Sequence, residues 1–380
     1  MVTWLILAAT MAQQQAPEFH QGVSYTIEAV MDDAASHVLR ARERIRYQNN
    51  SPQRIDTLWF HLHLNAFRPN SAWAQRDLQF NNRRFQDLGP ADHAFERVRA
   101  IQVGGTRVTA VFPGAPDSTV MGVPLPAPLA PGAKTTIDIE WDARLSTLAR
   151  RQGRDGRHHN YAQWYPRLAV YDRGGWEVQP LLPQGEFYGE FADYDVTLDV
   201  PADQVVGATG VPVSGDPGWE RVNIDASKPP NYQRTAYRAT PVESLGLFDA
   251  RLGAGRKQIR WRAERVHHFA WVANPDYVYE GGKAGNTAVH ALFLRSDTAW
   301  AKVAVARTIK AIEFLESVFG PYTYPQLTNV HRVEGNGGTE FPMMIMDSDA
   351  GEGLIVHEIA HQWAHGILAN NEWKDGWLDE

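Results

Sequence analysis

The reading of this sequence turns on a stretch near its end, His357-Glu358-Ile359-Ala360-His361. His357 and His361 stand at i and i+4, so on a helix both imidazoles project from one face, with Cβ atoms about 5–6 Å apart. That separation lets two ring nitrogens reach one Zn²⁺ at about 2.0–2.1 Å. Glu358 sits roughly 100° round the helix from His357 and can meet a water on the metal without being a ligand. Asn370-Asn371 ends the helical pattern, and Glu372 to Glu380 reads as a turn entering a second helix. Eighteen residues separate His361 from Glu380, which can swing back as third ligand. Two histidines, one glutamate and an open fourth position describe a catalytic zinc site rather than a closed structural one. The plainer alternative is an amphipathic helix whose histidines are solvated. His365 continues the ladder but lies about 12 Å along the axis from His357, too far to share its metal easily, and reads as a packed or surface histidine.

Just upstream runs Gly337-Gly338-Thr339-Glu340-Phe341-Pro342, and Trp377-Leu378-Asp379-Glu380 carries the third-ligand candidate. With His357, Glu358 and His361, these segments resemble the M1 family of zinc aminopeptidases, of the gluzincin group. The likeness extends more loosely from about Val23 onwards. Thr339 and Phe341 stand where the family's G-x-M-E-N motif has Met and Asn, which alters the shape of the first substrate pocket. The resemblance implies an α+β multidomain fold. A β-rich, saddle-like N-terminal domain (20–265) would precede the first part of a thermolysin-like α/β catalytic domain (266–380). It implies one zinc per chain, held by His357, His361 and Glu380, with Glu358 as general base. Glu340 would grip the free α-ammonium of a peptide by charge-assisted hydrogen bonds, while Gly337 and Gly338 let the loop backbone approach the peptide. The family's oxyanion-stabilising tyrosine is expected beyond Glu380, so the 380-residue chain by itself is expected to be inactive.

Composition agrees with an enzyme of this size. Hydrophobic residues at 43% and aromatics at 11% suffice for globular packing, and the length suggests two domains. Lys and Arg number 37 against 44 Asp and Glu, with no basic run of the kind nucleic acid requires. There is no cysteine, so any metal must be held by His, Asp or Glu. The apolar run Val2–Ala9, followed by Thr10-Met11-Ala12 and three glutamines, resembles the tail of a secretory signal, so residues 1–19 are expected to be a leader. That places the protein outside the cell or in the periplasm; a cytoplasmic chain with an apolar start is the alternative. No membrane span is expected.

From Val23 to Arg265 the pattern is strand-like, with period-two runs at Val23–Val30, Val38–Tyr47 and Ile55–Leu64. His61 and His63 share one face of that last strand, a geometry for metal or simply a half-exposed strand face. Further strands are expected at Ala100–Val111, Thr135–Trp141, Tyr194–Val200, Arg234–Ala239 and Gln258–Val266. The aromatic-rich segment Tyr161–Gly189 reads as core or inter-domain packing. His267-His268 are neighbours that, on a strand, would point to opposite faces and could not share a metal. Thr298–Phe319 is helical, with an apolar stripe that includes Ala306, Phe314 and Val318. Short strands at Leu327–Val333 and Met343–Met346 flank the glycine loop, and Glu352–Gly366 forms the helix of the two zinc histidines. The function expected is removal of N-terminal residues from peptides. A zinc endopeptidase on the same site, or a non-catalytic binding module, are the rivals. Preferred first residue and oligomeric state are not legible.

Overall fold

The computed structural model describes residues 19–183, 187–248, 255–333 and 335–379. Strand dominates. The largest sheet has eight strands in the order Val211–Ser214, Arg256–Val266, Ala192–Pro201, Gly22–Met31, Val38–Gln48, Lys134–Arg144, Phe95–Val103, Thr106–Arg107. All its pairings are antiparallel except that of Gly22–Met31 with Ala192–Pro201. Alternation explains its two faces. In Val38–Gln48, Leu39, Ala41, Ile45 and Tyr47 point into the core. Arg42 and Arg44 point out, where they pair across the strand with Glu140 and Asp138.

Expectation and structure part in a few places. Strand Ile55–His61 stops before His63, which opens a 3-10 turn, His63–Ala66. Both histidines are buried, with stacked rings 4.6 Å apart, so neither lies on a half-exposed face. The strand expected over Ala100–Val111 is instead Phe95–Val103 and, after a turn, Thr106–Arg107. No strand forms at 234–239, where the chain runs through turns. A short helix, α1 (Ala72–Gln79), was not expected; Ser71 caps it by accepting from the Ala74 amide at 2.9 Å.

A second sheet carries the site. Its five strands run Tyr277–Ala284, Thr287–Leu294, Gln326–His331, Met344–Asp347, Glu340–Phe341. Helix α2 (Trp300–Phe319) connects Thr287–Leu294 to the parallel Gln326–His331, and α3 (Glu352–Ala364) follows Met344–Asp347. The buried stripe of α2 is Trp300, Ala304, Val305, Thr308, Ala311, Ile312 and Leu315. Phe314 and Val318, expected inside, are 59% and 56% exposed because they fall on the opposite side of the helix. Strand Trp271–Asn274 pairs with Val205–Ala208 and with His158–Tyr161, so the chain just past 266 is still hydrogen-bonded to the N-terminal strands. Trp219 joins the two large sheets: it packs on Trp261 of the first and stacks on Tyr279 of the second at 5.2 Å. The aromatics of 161–189 are largely core, as in the Tyr161–Trp271 stack at 4.0 Å. No helix among the described residues is long and apolar enough to cross a membrane. The leader expected at 1–19 lies outside the described residues except for Phe19.

Candidate metal centre and active site

Helix α3 starts one turn after the strand Met344–Asp347 and buries Ile355, Ile359 and Trp363, which fixes its rotation. That rotation brings the Nε2 atoms of His357 and His361 to 3.1 Å from each other. Two nitrogens on one tetrahedral ion at about 2.0–2.1 Å would lie about 3.4 Å apart, so the pair fits a shared zinc with a small adjustment. Behind His361, its Nδ1–H donates to Asp379 Oδ1 at 2.5 Å. This bond fixes the tautomer, leaving the Nε2 lone pair for a metal, and makes the ring a stronger donor. Burial opposes charge on His361. The hydrogen bond to Asp379 and the fields of Glu340 and Glu358 outweigh it and push its pKa up to about 9. The centre therefore favours positive charge. Asp379 was not assigned a role from the sequence; the only signal for it was its place next to Glu380. Glu380 itself lies outside the described residues.

Glu358 is 3% exposed, against the glycine loop. A Cβ built on Gly338 would stand 2.2 Å from the Glu358 carboxyl carbon, so only glycine fits there. Gly337 has φ +80°, the left-handed region. The two glycines thus have separate structural tasks: Gly337 turns the chain, and Gly338 makes room for Glu358. The loop is held from outside by Arg332, whose Nη1 donates to the Gly338 carbonyl at 3.2 Å. It then becomes the edge strand Glu340–Phe341, antiparallel to Met344–Asp347 with Glu340 opposite Ile345. Glu340 is buried, and Arg151 of the N-terminal part donates to its Oε1 at 3.3 Å.

Gln362, which the sequence did not single out, ties helix to loop. Its Nε2 donates to the Phe341 carbonyl at 3.1 Å, and its Oε1 accepts from the Met343 amide at 2.9 Å. A cavity of about 190 Å³ opens at the glycine loop, lined by Gly338, Arg332, Arg151, Trp73 and Phe187 among others.

His267 and His268 do not point apart. Strand Arg256–Val266 ends just before them, and in the bend both rings turn inward to meet His365, 4.2 Å from His267 and 5.9 Å from His268 between ring centroids. Ligand atoms of the three lie within metal-sharing reach of one another. However, the Arg167 guanidinium already bonds His268, at 2.5 Å from Nδ1, and His365 is bonded to Glu372. Burial holds all three imidazoles below the usual histidine range. With Arg167 on His268 and Glu372 accepting from His365, the three form a hydrogen-bonded cluster at the C-terminal end of α3. His365 is buried, so the packed alternative for it is the one realised. Helix α4 (Glu372–Asp375), capped by Asn371, carries the chain back toward His361, and Lys374 fastens it to Glu177.

Neither a protein-family model nor a curated protein matches the sequence. Solved structures do match in shape. An M1 zinc metallopeptidase from Deinococcus radiodurans superposes with a TM-score of 0.59 at 15% identity, covering 95% of this chain and 68% of that one. A variant of that enzyme gives 0.60, also at 15% identity and with the same coverage of both chains. A complex of such a variant with a Tyr-Ser-Ala substrate gives 0.59 at 16% identity, again with 95% and 68% covered. At such identity the likeness is one of architecture: this chain is α+β, mostly sheet, and has the fold of the M1 zinc metallopeptidases.

Proposed function

We propose that the protein is a zinc-dependent peptidase that removes residues from the free N-terminus of peptides. The observation that supports this most is the convergence of His357 and His361 at 3.1 Å, with Asp379 behind and the buried Glu358 beside them. On this reading His357, His361 and Glu380 hold one Zn²⁺, which when bound polarises the scissile carbonyl and acidifies a water. Glu358 takes the water's proton and returns it to the leaving nitrogen. The Gly338 backbone confines that carboxylate so that it cannot swing away. Asp379 keeps the His361 proton on Nδ1. Glu340, the first residue of the edge strand, accepts a hydrogen bond from the peptide's ammonium beside its contact with Arg151.

Arg151 also supports a second reading. Its charge offsets that of Glu340, which weakens recognition of an amine and suits an endopeptidase. The test is paired: purified protein with zinc is given one peptide with a free and one with an acetylated N-terminus. The aminopeptidase reading expects cleavage of the free peptide alone, lost in Glu358→Gln, and loss of at least about 2 kcal/mol in kcat/KM on Glu340→Ala. Equal cleavage of both peptides would support the endopeptidase. A fully zinc-loaded His357→Ala protein would remove the metal assignment.

A further inference from the structure

A groove of about 600 Å³ opens on the N-terminal part, and none of the site residues above lines it. Its wall carries Arg68, Arg97, Arg144, Arg154, His37 and His93, and no carboxylate. This is unexpected on a chain of net charge −7. Elsewhere in this protein guanidinium groups pair with carboxylates, as Arg84 does with Asp77 and Arg157 with Asp203. Here three of four do not. Arg68 donates to Ser118 Oγ, Arg97 lies over the Phe95 ring at 5.0 Å, and Arg144 donates to the carbonyls of His93 and Pro90. Arg154 donates to the carbonyls of Leu145 and Ala91, with only the half-exposed Asp92 near it, at 3.6 Å.

Gathering these groups costs free energy. Burial first, then Arg154 and Arg97, against Asp92, hold Arg144 below its usual pKa; burial and Arg97, against Asp117, do the same to Arg68. An anion in the groove removes that penalty. Two of the forks, Arg144 and Arg154, are already fixed by backbone carbonyls, so little side-chain entropy is lost on binding. Planar guanidinium forks suit the oxygens of a tetrahedral oxyanion, each pair making two parallel charge-assisted bonds.

We propose that this groove is a binding site for a phosphate-like dianion, either free or as the phosphoryl group of a small molecule. The volume exceeds what one phosphate fills, so it admits a group attached to it. Arg144 and Arg154 also bracket the segment that carries Arg151 to Glu340, so occupancy steadies that segment at its root.

Calorimetry on the full chain at constant ionic strength, chloride against inorganic phosphate, tests this. Phosphate should bind with Kd of roughly 1 mM or tighter. Amide exchange over residues 144–155 should slow. The double variant Arg68→Gln/Arg97→Gln should weaken binding about tenfold or more without lowering Tm. Should that variant unfold, Arg97→Gln alone, at an exposed position, should still weaken it severalfold. A nucleoside monophosphate binding over tenfold more tightly than phosphate assigns a phosphoryl-bearing ligand; equal affinities assign the free oxyanion. The proposal falls if phosphate gives no heat up to about 10 mM, or if the arginine variants bind it unchanged. It also falls if protection appears only elsewhere, or if hexaglutamate binds while phosphate does not.

Discussion

At the scale of single residues, the site is decided by individual hydrogen bonds and close contacts. Asp379 touches no substrate in the proposed mechanism, yet its 2.5 Å bond to Nδ1 sets which nitrogen of His361 would face a metal. Asp379→Ala is expected to weaken zinc affinity about 10–100-fold, measured by competition with a chelating dye, with the fold intact by circular dichroism. Glu358→Gln should bind zinc normally while activity falls by about 10²–10⁴. Gly338→Ala should mimic it, since the added methyl would overlap the Glu358 carboxyl. A fully active Gly338→Ala protein would show that the loop yields. Asp347 bears on pH. Burial first, with the nearby Asp349 charge adding to it, pushes its carboxyl up to about 8 from an ordinary 3.8. The folded state therefore holds this proton more tightly than the unfolded chain. Its stabilisation is full below 3.8 and is lost as pH rises through about 8. Melting temperature should fall between about pH 4 and 8 through this group, and Asp347→Asn should flatten that part of the profile. A parallel profile in the variant would refute it.

At the scale of elements, helix α3 and the edge strand Glu340–Phe341 are one mechanical unit because Gln362 bonds backbone at both ends of the tight turn between that strand and Met344. Gln362→Leu would leave the Phe341 carbonyl and the Met343 amide buried without that partner, at about 1–3 kcal/mol each. Urea unfolding should show the loss, and kcat/KM should fall as the glycine loop drifts from Glu358. The helix itself was legible from spacing, because a 3.6-residue period fixes which side chains share a face. Its rotation about the buried Ile355, Ile359 and Trp363 was not, since that depends on the sheet beneath. The same limit explains α2, where an apolar count placed Phe314 and Val318 inside. A helix has room for one buried stripe, and Trp300, Ala304, Val305 and Leu315 occupy it.

At the scale of the whole molecule, the outer face of α2 exposes Phe314, Val318 and Phe319, and Leu368 and Trp377 are also exposed. Apolar residues grouped on a helix face drive association. Phe314→Gln with Val318→Gln should lower self-association in sedimentation while changing stability by no more than about 0.5 kcal/mol, as for exposed positions in general. A loss of several kcal/mol would mean that the face is covered. The N-terminal part reaches into the site through Arg151 on Glu340 and Lys374 with Glu177, so the centre is built from both parts of the chain.

Sequence alone determined what depends on local period and residue chemistry. Five of the eight strands of the large sheet, the i, i+4 histidine pair and the glutamate between them were legible, because side-chain direction repeats regularly along a strand or helix. Tertiary structure alone decided which distant groups meet: Arg151 with Glu340, Gln362 with the edge strand, Gly338 with Glu358. It also folded His267 and His268 onto one side, since a strand that ends between two sheets no longer alternates. Those contacts join residues far apart in the chain, and their distances are set by how sheets and helices pack, which no local spacing encodes.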